Sequence, residues 1–172
     1  MKKISALFIA GLITLCFSMS LHAQSSENSL DQAELMKQFV GTWTHEIDED
    51  SIRLWKVTPY GLGYEMFWNL KIKGESSYTR KGIAGFTAKY QKVNWFSLGK
   101  VDIWPYRRLG EFVTEDKLVM EYYNFDHSKI VGKWEVIFVT PDKFKTTTKR
   151  RGKSGTWDDA VVSEYIYTRV KE

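Results

Sequence analysis

Hydrophobic and polar residues alternate with period two along most of this chain, and the main departure comes just before that rhythm begins. From Ser29 to about Val40 the apolar residues Leu30, Ala33, Met36 and Val40 recur at three- and four-residue spacing, which predicts one short amphipathic helix. Ser29 and Gln32 fit a capping-box start. Gly41 is suited to end the helix, because glycine takes the left-handed conformation common at helix C-termini. From Thr42 the period is two: Trp43, His45 and Ile47 share one face of a first strand, and a second runs to about Thr58 before a turn at Pro59-Tyr60-Gly61. The clearest alternation follows. Tyr64, Met66, Trp68, Leu70 and Ile72 fall on one face and Glu65, Phe67, Asn69, Lys71 and Lys73 on the other, which describes a strand with one dry side.

Later strands are predicted over residues 76–86, 90–98, 101–104, 110–113, 117–125, 130–139, 143–149 and 157–170, with Pro105-Tyr106-Arg107-Arg108 read as an interruption. Gly82 and Gly85 suggest a bulge or sharp bend. Thr114-Glu115-Asp116, Asp126-His127-Ser128 and Pro141-Asp142 have the composition of hairpin turns, and Gly152-Lys153-Ser154-Gly155 that of a longer basic loop. Parallel neighbours need long crossovers, so short strands joined by tight turns exclude a parallel sheet. One helix leading into a meander of hairpins predicts an all-β fold, an antiparallel up-and-down β-barrel of about eight to ten strands, whose closure removes the edge strands that template aggregation.

Composition adds a compartment. Lys2 and Lys3 precede an apolar run from Ile4 to Phe17, and Leu21-His22-Ala23 ends in a small residue, the pattern of a secretory signal peptide over residues 1–23. The single cysteine, Cys16, follows Leu15, where a lipoprotein signal places a small residue, so a cleaved, unlipidated, secreted or periplasmic chain is expected. Residues 24–172 then form a single domain without cysteine, held by its core alone. Loss of Lys2 and Lys3 leaves 23 basic against 21 acidic groups, a net charge of +2, which offers no strong field for nucleic acid. All seven tryptophans lie in this part, among many β-branched residues.

The helix, the Gly41-Thr42-Trp43 start and the terminal strand ending Tyr165-Ile166-Tyr167-Thr168-Arg169 resemble the lipocalin-like (calycin) barrels, especially small secreted bacterial domains of uncharacterised role. Gly82-Ile83-Ala84-Gly85-Phe86, with Tyr90 and Trp95 beyond it, is similar to the same group. The resemblance implies that Trp43 plugs the closed end of the barrel and that Arg169 packs over it. The Thr-Asp-Tyr-like loop of ligand-carrying lipocalins is absent, and no histidine follows His127, where heme-binding relatives place one.

Chemistry is weighed on that frame. His45, sharing a face with Trp43, is either a hydrogen-bonded structural imidazole or a ligand contact. Tyr64, Met66, Trp68, Trp95, Met120, Tyr122 and Trp134 fall on faces assigned inward, and a barrel of about eight strands is either filled by such side chains or holds one small ligand. Arg53 and Arg80 are candidates to pair an anionic head group, against a solvated alternative. The Lys145, Lys149, Arg150, Arg151 and Lys153 cluster reads as a solvated hairpin end. Gly152-Lys153-Ser154 lacks the first glycine of a phosphate loop, Ser97-Leu98-Gly99-Lys100 lacks the companion motifs of a Ser-x-x-Lys nucleophile, and Asp48-Glu49-Asp50 is an exposed acidic turn. No cofactor and no metal site is expected.

The function expected is therefore binding, without catalysis, of a small, largely apolar or aromatic molecule in the barrel, through His45, Tyr64, Met66, Trp68, Arg80, Trp95, Tyr122 and Trp134. The alternative is a module with a packed core that binds sugar or protein through surface aromatics, with Trp104, Tyr106 and Trp157 as candidates. An enzyme using His45 as base is a third.

Overall fold

The computed structural model describes residues 30–100, 106–123 and 128–171. The leader expected over 1–23, Ser29, the strand expected over 101–104 with Trp104, and the turn at Asp126-His127 lie outside these residues. Ten antiparallel strands follow one another: β1 (Gly41–Asp48), β2 (Ser51–Tyr60), β3 (Gly63–Ile72), β4 (Glu75–Thr87), β5 (Lys92–Gly99), β6 (Tyr106–Thr114), β7 (Lys117–Tyr123), β8 (Ile130–Thr140), β9 (Lys143–Arg150) and β10 (Val161–Arg169). Each pairs with its neighbours in sequence, and β10 returns to β1 to close the barrel. The closing register sets Trp43 against Arg169 and Thr44 against Thr168. Closure leaves no strand of the ring without a partner on either side.

The period-two pattern is clearest in the packing of β7 and β8, whereas the β3 face expected to be dry is fully buried only at Met66, and Ile72 and Ile47, near the open ends of their strands, are exposed. Leu118, Met120 and Tyr122 of β7 are buried, as are Trp134, Val136 and Phe138 of β8, while their odd neighbours face water. Gly110 stands inside, opposite Met120, where a Cβ would collide with the Val119 carbonyl and the Met120 backbone. Only glycine lets β6 and β7 approach there.

The helix is shorter and tighter than its periodicity predicted. α1 (Gln32–Leu35) passes directly into a 3-10 turn, Met36–Phe39. Side chains three apart eclipse in such a turn, so Met36 and Phe39 enter the barrel together, one above the other. Asp31 is the N-cap, accepting the Glu34 N–H at 2.9 Å, instead of Ser29. Gln32 is thereby free for a different contact. Its amide donates to the Phe112 carbonyl at 3.0 Å and accepts the Phe112 N–H at 2.7 Å, fastening the helix to β6. Gly41 follows at φ +128°, pressed against the Arg169 guanidinium, where a side chain would be strained and obstructed.

Several boundaries differ from the sequence reading. β2 runs on through Pro59 and Tyr60 and turns at Gly61-Leu62; β1 pairs with it only as far as Val57, so the missing proline N–H interrupts no ladder bond. Register is continuous through Gly82 and Gly85, and the bulge of β4 falls instead at Ser77, between the pairs Leu70–Tyr78 and Lys71–Ser76. Tyr90 belongs to the turn before β5, and the last strand starts at Val161 with Trp157 in the preceding loop. Most consequentially, Tyr106-Arg107-Arg108 does not interrupt the sheet. It opens β6, with Arg108 paired to Trp95 and Tyr106 to Ser97.

Candidate functional site

The barrel is filled at one end and open at the other. At the closed end Phe39 sits among Trp55, Trp95, Phe112, Phe138 and Phe144, with ring centroids 4.9 to 6.4 Å away. Trp43 is fully buried, packs on Phe144 at 4.6 Å and donates its indole N–H to the Phe39 carbonyl at 2.8 Å. Arg169 lies over the Trp43 ring at 4.1 Å and donates to the carbonyls of Val40, Gln38 and Pro141, while its Nε meets Asp142 at 3.2 Å. Arg169 thus packs over Trp43, the contact that the resemblance implies. The helix completes this end from below.

Towards the open end the inward side chains become polar. Two connected lobes of about 360 and 230 Å³ share Arg53, Trp68, Arg108 and Tyr167. The larger adds Arg150, Tyr122, Tyr165, Trp134, Thr146 and Thr148; the smaller adds Tyr78 and Arg80. Among the described residues, no carboxylate lines either lobe. The acidic turn Asp48-Glu49-Asp50 stays exposed outside them.

Arg108 is the deepest cation, 9% exposed, with its guanidinium over Tyr122 at 4.2 Å and Trp134 at 4.7 Å. Its Nε–H is buried and has no hydrogen-bond partner among the described residues. Burial pulls its pKa below the ordinary value; Tyr122 opposes that pull, and the charges of Arg80 and Arg150 add to it. An arginine does not give up its proton in a protein, so the cost stays with the fold as an unpaired buried charge. Arg53 lies 3.9 Å over the Tyr165 ring. Burial would raise the Tyr165 hydroxyl, yet hydrogen bonds from Arg53 and Ser163 and the charges of Arg53 and Arg150 outweigh it and hold it below the usual phenol range. Tyr167, more deeply set, is raised by burial against the charge of Arg53. Arg80 is held by the Tyr78 hydroxyl, at 2.5 and 3.0 Å, and lies 4.1 Å over Tyr106.

Of the residues singled out by sequence, Trp68, Arg80, Tyr122 and Trp134 line the lobes. Met66 and Trp95 do not. Both are closed in the core, with Trp95 packed on Phe39 and Trp134. Tyr64 lies beside the helix at the closed end, next to Lys37, because its position on β3 is below the floor. His45 borders the lobes on the wall of β1, its ring 5.3 Å from Tyr165 and 5.7 Å from Tyr167. Its Nδ1 is 2.9 Å from the Ile166 carbonyl. A carbonyl only accepts, so Nδ1 carries the hydrogen of this bond.

Two members of the site, Arg108 and Arg150, differ from the sequence reading of an interruption and a solvated cluster, and Tyr106, expected on the surface, lies under Arg80 beside the smaller lobe. Each lies on the inward parity of its strand, as Arg108, Gly110 and Phe112 on β6 and Thr146, Thr148 and Arg150 on β9 make plain. Of the rest of the basic cluster, Lys145 pairs with Glu164 at 2.8 Å, and Lys149 and Arg151 flank the Trp157 ring at 5.9 and 5.2 Å. Among the described residues no group of three or more His, Cys, Asp or Glu is placed to hold a metal ion. No helix among them is long and apolar enough to cross a membrane, which says nothing of strands. No family model matches the chain, and no curated protein is significantly similar to it.

Proposed function

We propose that this chain is a lipocalin-like (calycin) barrel, exported by its N-terminal leader, that binds a small molecule in the open end without chemistry on it. The ligand has a ring or apolar body and an anionic group. One observation carries the reading: Arg53, Arg108 and Arg150 converge on one lobe of about 360 Å³, and among the described residues no carboxylate lines it and none of the three makes an ion pair. Guanidinium forks match carboxylate, phosphate and sulfonate oxygens in paired hydrogen bonds. The volume lies in the range of small-molecule sites, about 300–1,000 Å³. The aromatic walls supply the contact for a flat body, with Trp68 stacked on Trp55 at 5.4 Å as a platform shared by both lobes. The sequence reading expected a largely apolar ligand; the arginines favour one with an anionic head.

The test uses two probes that differ by one group, anilinonaphthalene sulfonate and its neutral counterpart, N-phenylnaphthylamine. Fluorescence titration of the purified protein is expected to show the sulfonate binding at one site per chain, at least tenfold tighter than the neutral probe. Arg108→Gln and Arg150→Gln should each weaken it. Equal binding of the two probes would return the site to an apolar ligand, and no binding of either would overturn the reading.

A further inference from the structure

The arginines of the larger lobe stand at three depths. Arg108 is buried at its base, Arg53 is half-buried on the wall against Tyr165, and Arg150 is exposed at the rim. A single carboxylate at the base would meet Arg108 and leave the two cations above it without a counter-charge. Their aromatic neighbours compensate only in part, since a cation over a ring gains about 0.5–2 kcal/mol, whereas an unpaired charge in a protein interior costs several. Burial asks for a counter-charge at Arg108, and Arg53 and Arg150, set further out with no carboxylate among the lining residues, are placed to meet further negative charge on the same ligand.

Shape agrees with charge. A cavity of about 150 Å³ accepts benzene, so a lobe of about 360 Å³ takes a ring together with substituents on its edge. Trp68 offers the ring a face, and Tyr122, Tyr165 and the hydroxyls of Thr146 and Thr148 are hydrogen-bonding groups between the cations. Cations spread over three strands, β2, β6 and β9, favour charges spread around the ligand over charges gathered at one end.

Resting on the binding reading above, we infer that the ligand is a compact polyanion: a ring-sized molecule bearing two or more carboxylate or phosphate groups, one seated on Arg108 and the others on Arg53 and Arg150. A long-chain monocarboxylate, whose tail would cross the cationic rim, is disfavoured by the same arrangement. Recognition is then by charge count and spacing around a ring.

Calorimetry at constant ionic strength and neutral pH with benzoate, isophthalate and trimesate tests this, since the three share one ring and carry one, two and three carboxylates. Each added carboxylate should tighten binding about tenfold, the worth of a charge-assisted hydrogen bond. Arg150→Gln, an exposed residue whose loss leaves the core untouched, should remove most of the gain of trimesate over isophthalate. Arg108→Gln should weaken all three. If benzoate binds as tightly as trimesate, the polyanion inference is overturned and the anion-binding reading stands. An undiminished trimesate advantage in Arg150→Gln also overturns it, because the extra charges would then be met elsewhere. If none of the three binds while anilinonaphthalene sulfonate does, the inference again falls alone; if no anion binds, both fall.

Discussion

The two ends of this barrel are built from similar aromatic residues and solve opposite problems. At the closed end every large ring meets another ring or a backbone group: Phe39 is surrounded, Trp43 donates to a carbonyl, and the Arg169 charge is spread over three carbonyls and Asp142. At the open end the rings of Tyr122, Tyr165 and Trp134 face guanidinium groups that have no carboxylate among the residues lining the lobes. Both arrangements use a cation over an aromatic face. The difference lies in what satisfies the rest of the cation. Arg169 is finished by its own chain and stabilises the fold, whereas Arg108 is unfinished and costs the free protein stability. A fold tolerates such a cost where function needs the group.

Substitutions at the closed end should have the largest effects on stability. Phe39→Ala removes the ring at the centre of the floor and should cost about 3–5 kcal/mol, read as a fall in the urea midpoint at unchanged slope. A loss under about 1 kcal/mol would mean that the helix is an ornament and that the strands close the barrel unaided. Gln32→Ala should cost less, about 1–2 kcal/mol, for two hydrogen bonds to Phe112 left unmade in a half-buried place. Amide exchange at Phe112 should rise with it; protection unchanged there would show that the contact holds nothing.

The smallest effect belongs to the loop beside the open end. Asp159 accepts from the Ser154 hydroxyl at 2.5 Å and the Ser154 N–H at 3.0 Å, bonds that hold its carboxyl below its ordinary pKa of 3.8. The sign is that of a depressed carboxylate: the ordering it provides is present above the ordinary value and is lost as pH falls through the lower, folded one. Acidification below about pH 3.8 should therefore free the loop and expose Trp157 to an aqueous quencher, with the barrel signal intact. In Asp159→Asn the same exposure should appear at neutral pH. Equal quenching of the two proteins at neutral pH would detach Trp157 from this network.

What could be read from sequence follows the same division. Period-two alternation needs only local information, so the meander, its strand number and the buried faces of β7 and β8 were legible. The Trp43–Arg169 pair was legible through its resemblance, and geometry agrees with it. At the open end Arg53, Trp68, Arg80, Tyr122 and Trp134 were legible, but Arg108 and Arg150 were not, for two reasons. Charged residues are ordinarily outside, so Arg150 at the end of a basic hairpin and Arg108 after a proline were set aside as loop or surface. The alternation Tyr106, Arg108, Gly110, Phe112 would have found Arg108 had it been followed through the proline. Which side chains surround these arginines depends on which strands face one another across the barrel, and no local pattern carries that.

The claim that the open end is shaped for a ligand at the expense of the free protein is tested most directly by the urea midpoint of Arg108→Met without any ligand. Methionine keeps much of the volume against Tyr122 and Trp134 and removes the unpaired charge. Replacing buried charge by apolar groups commonly stabilises by about 1–4 kcal/mol. The variant is expected to unfold at higher urea than the parent and to lose anion binding. A variant that unfolds at lower urea would contradict the claim, because Arg108 would then be holding the barrel together as Arg169 does.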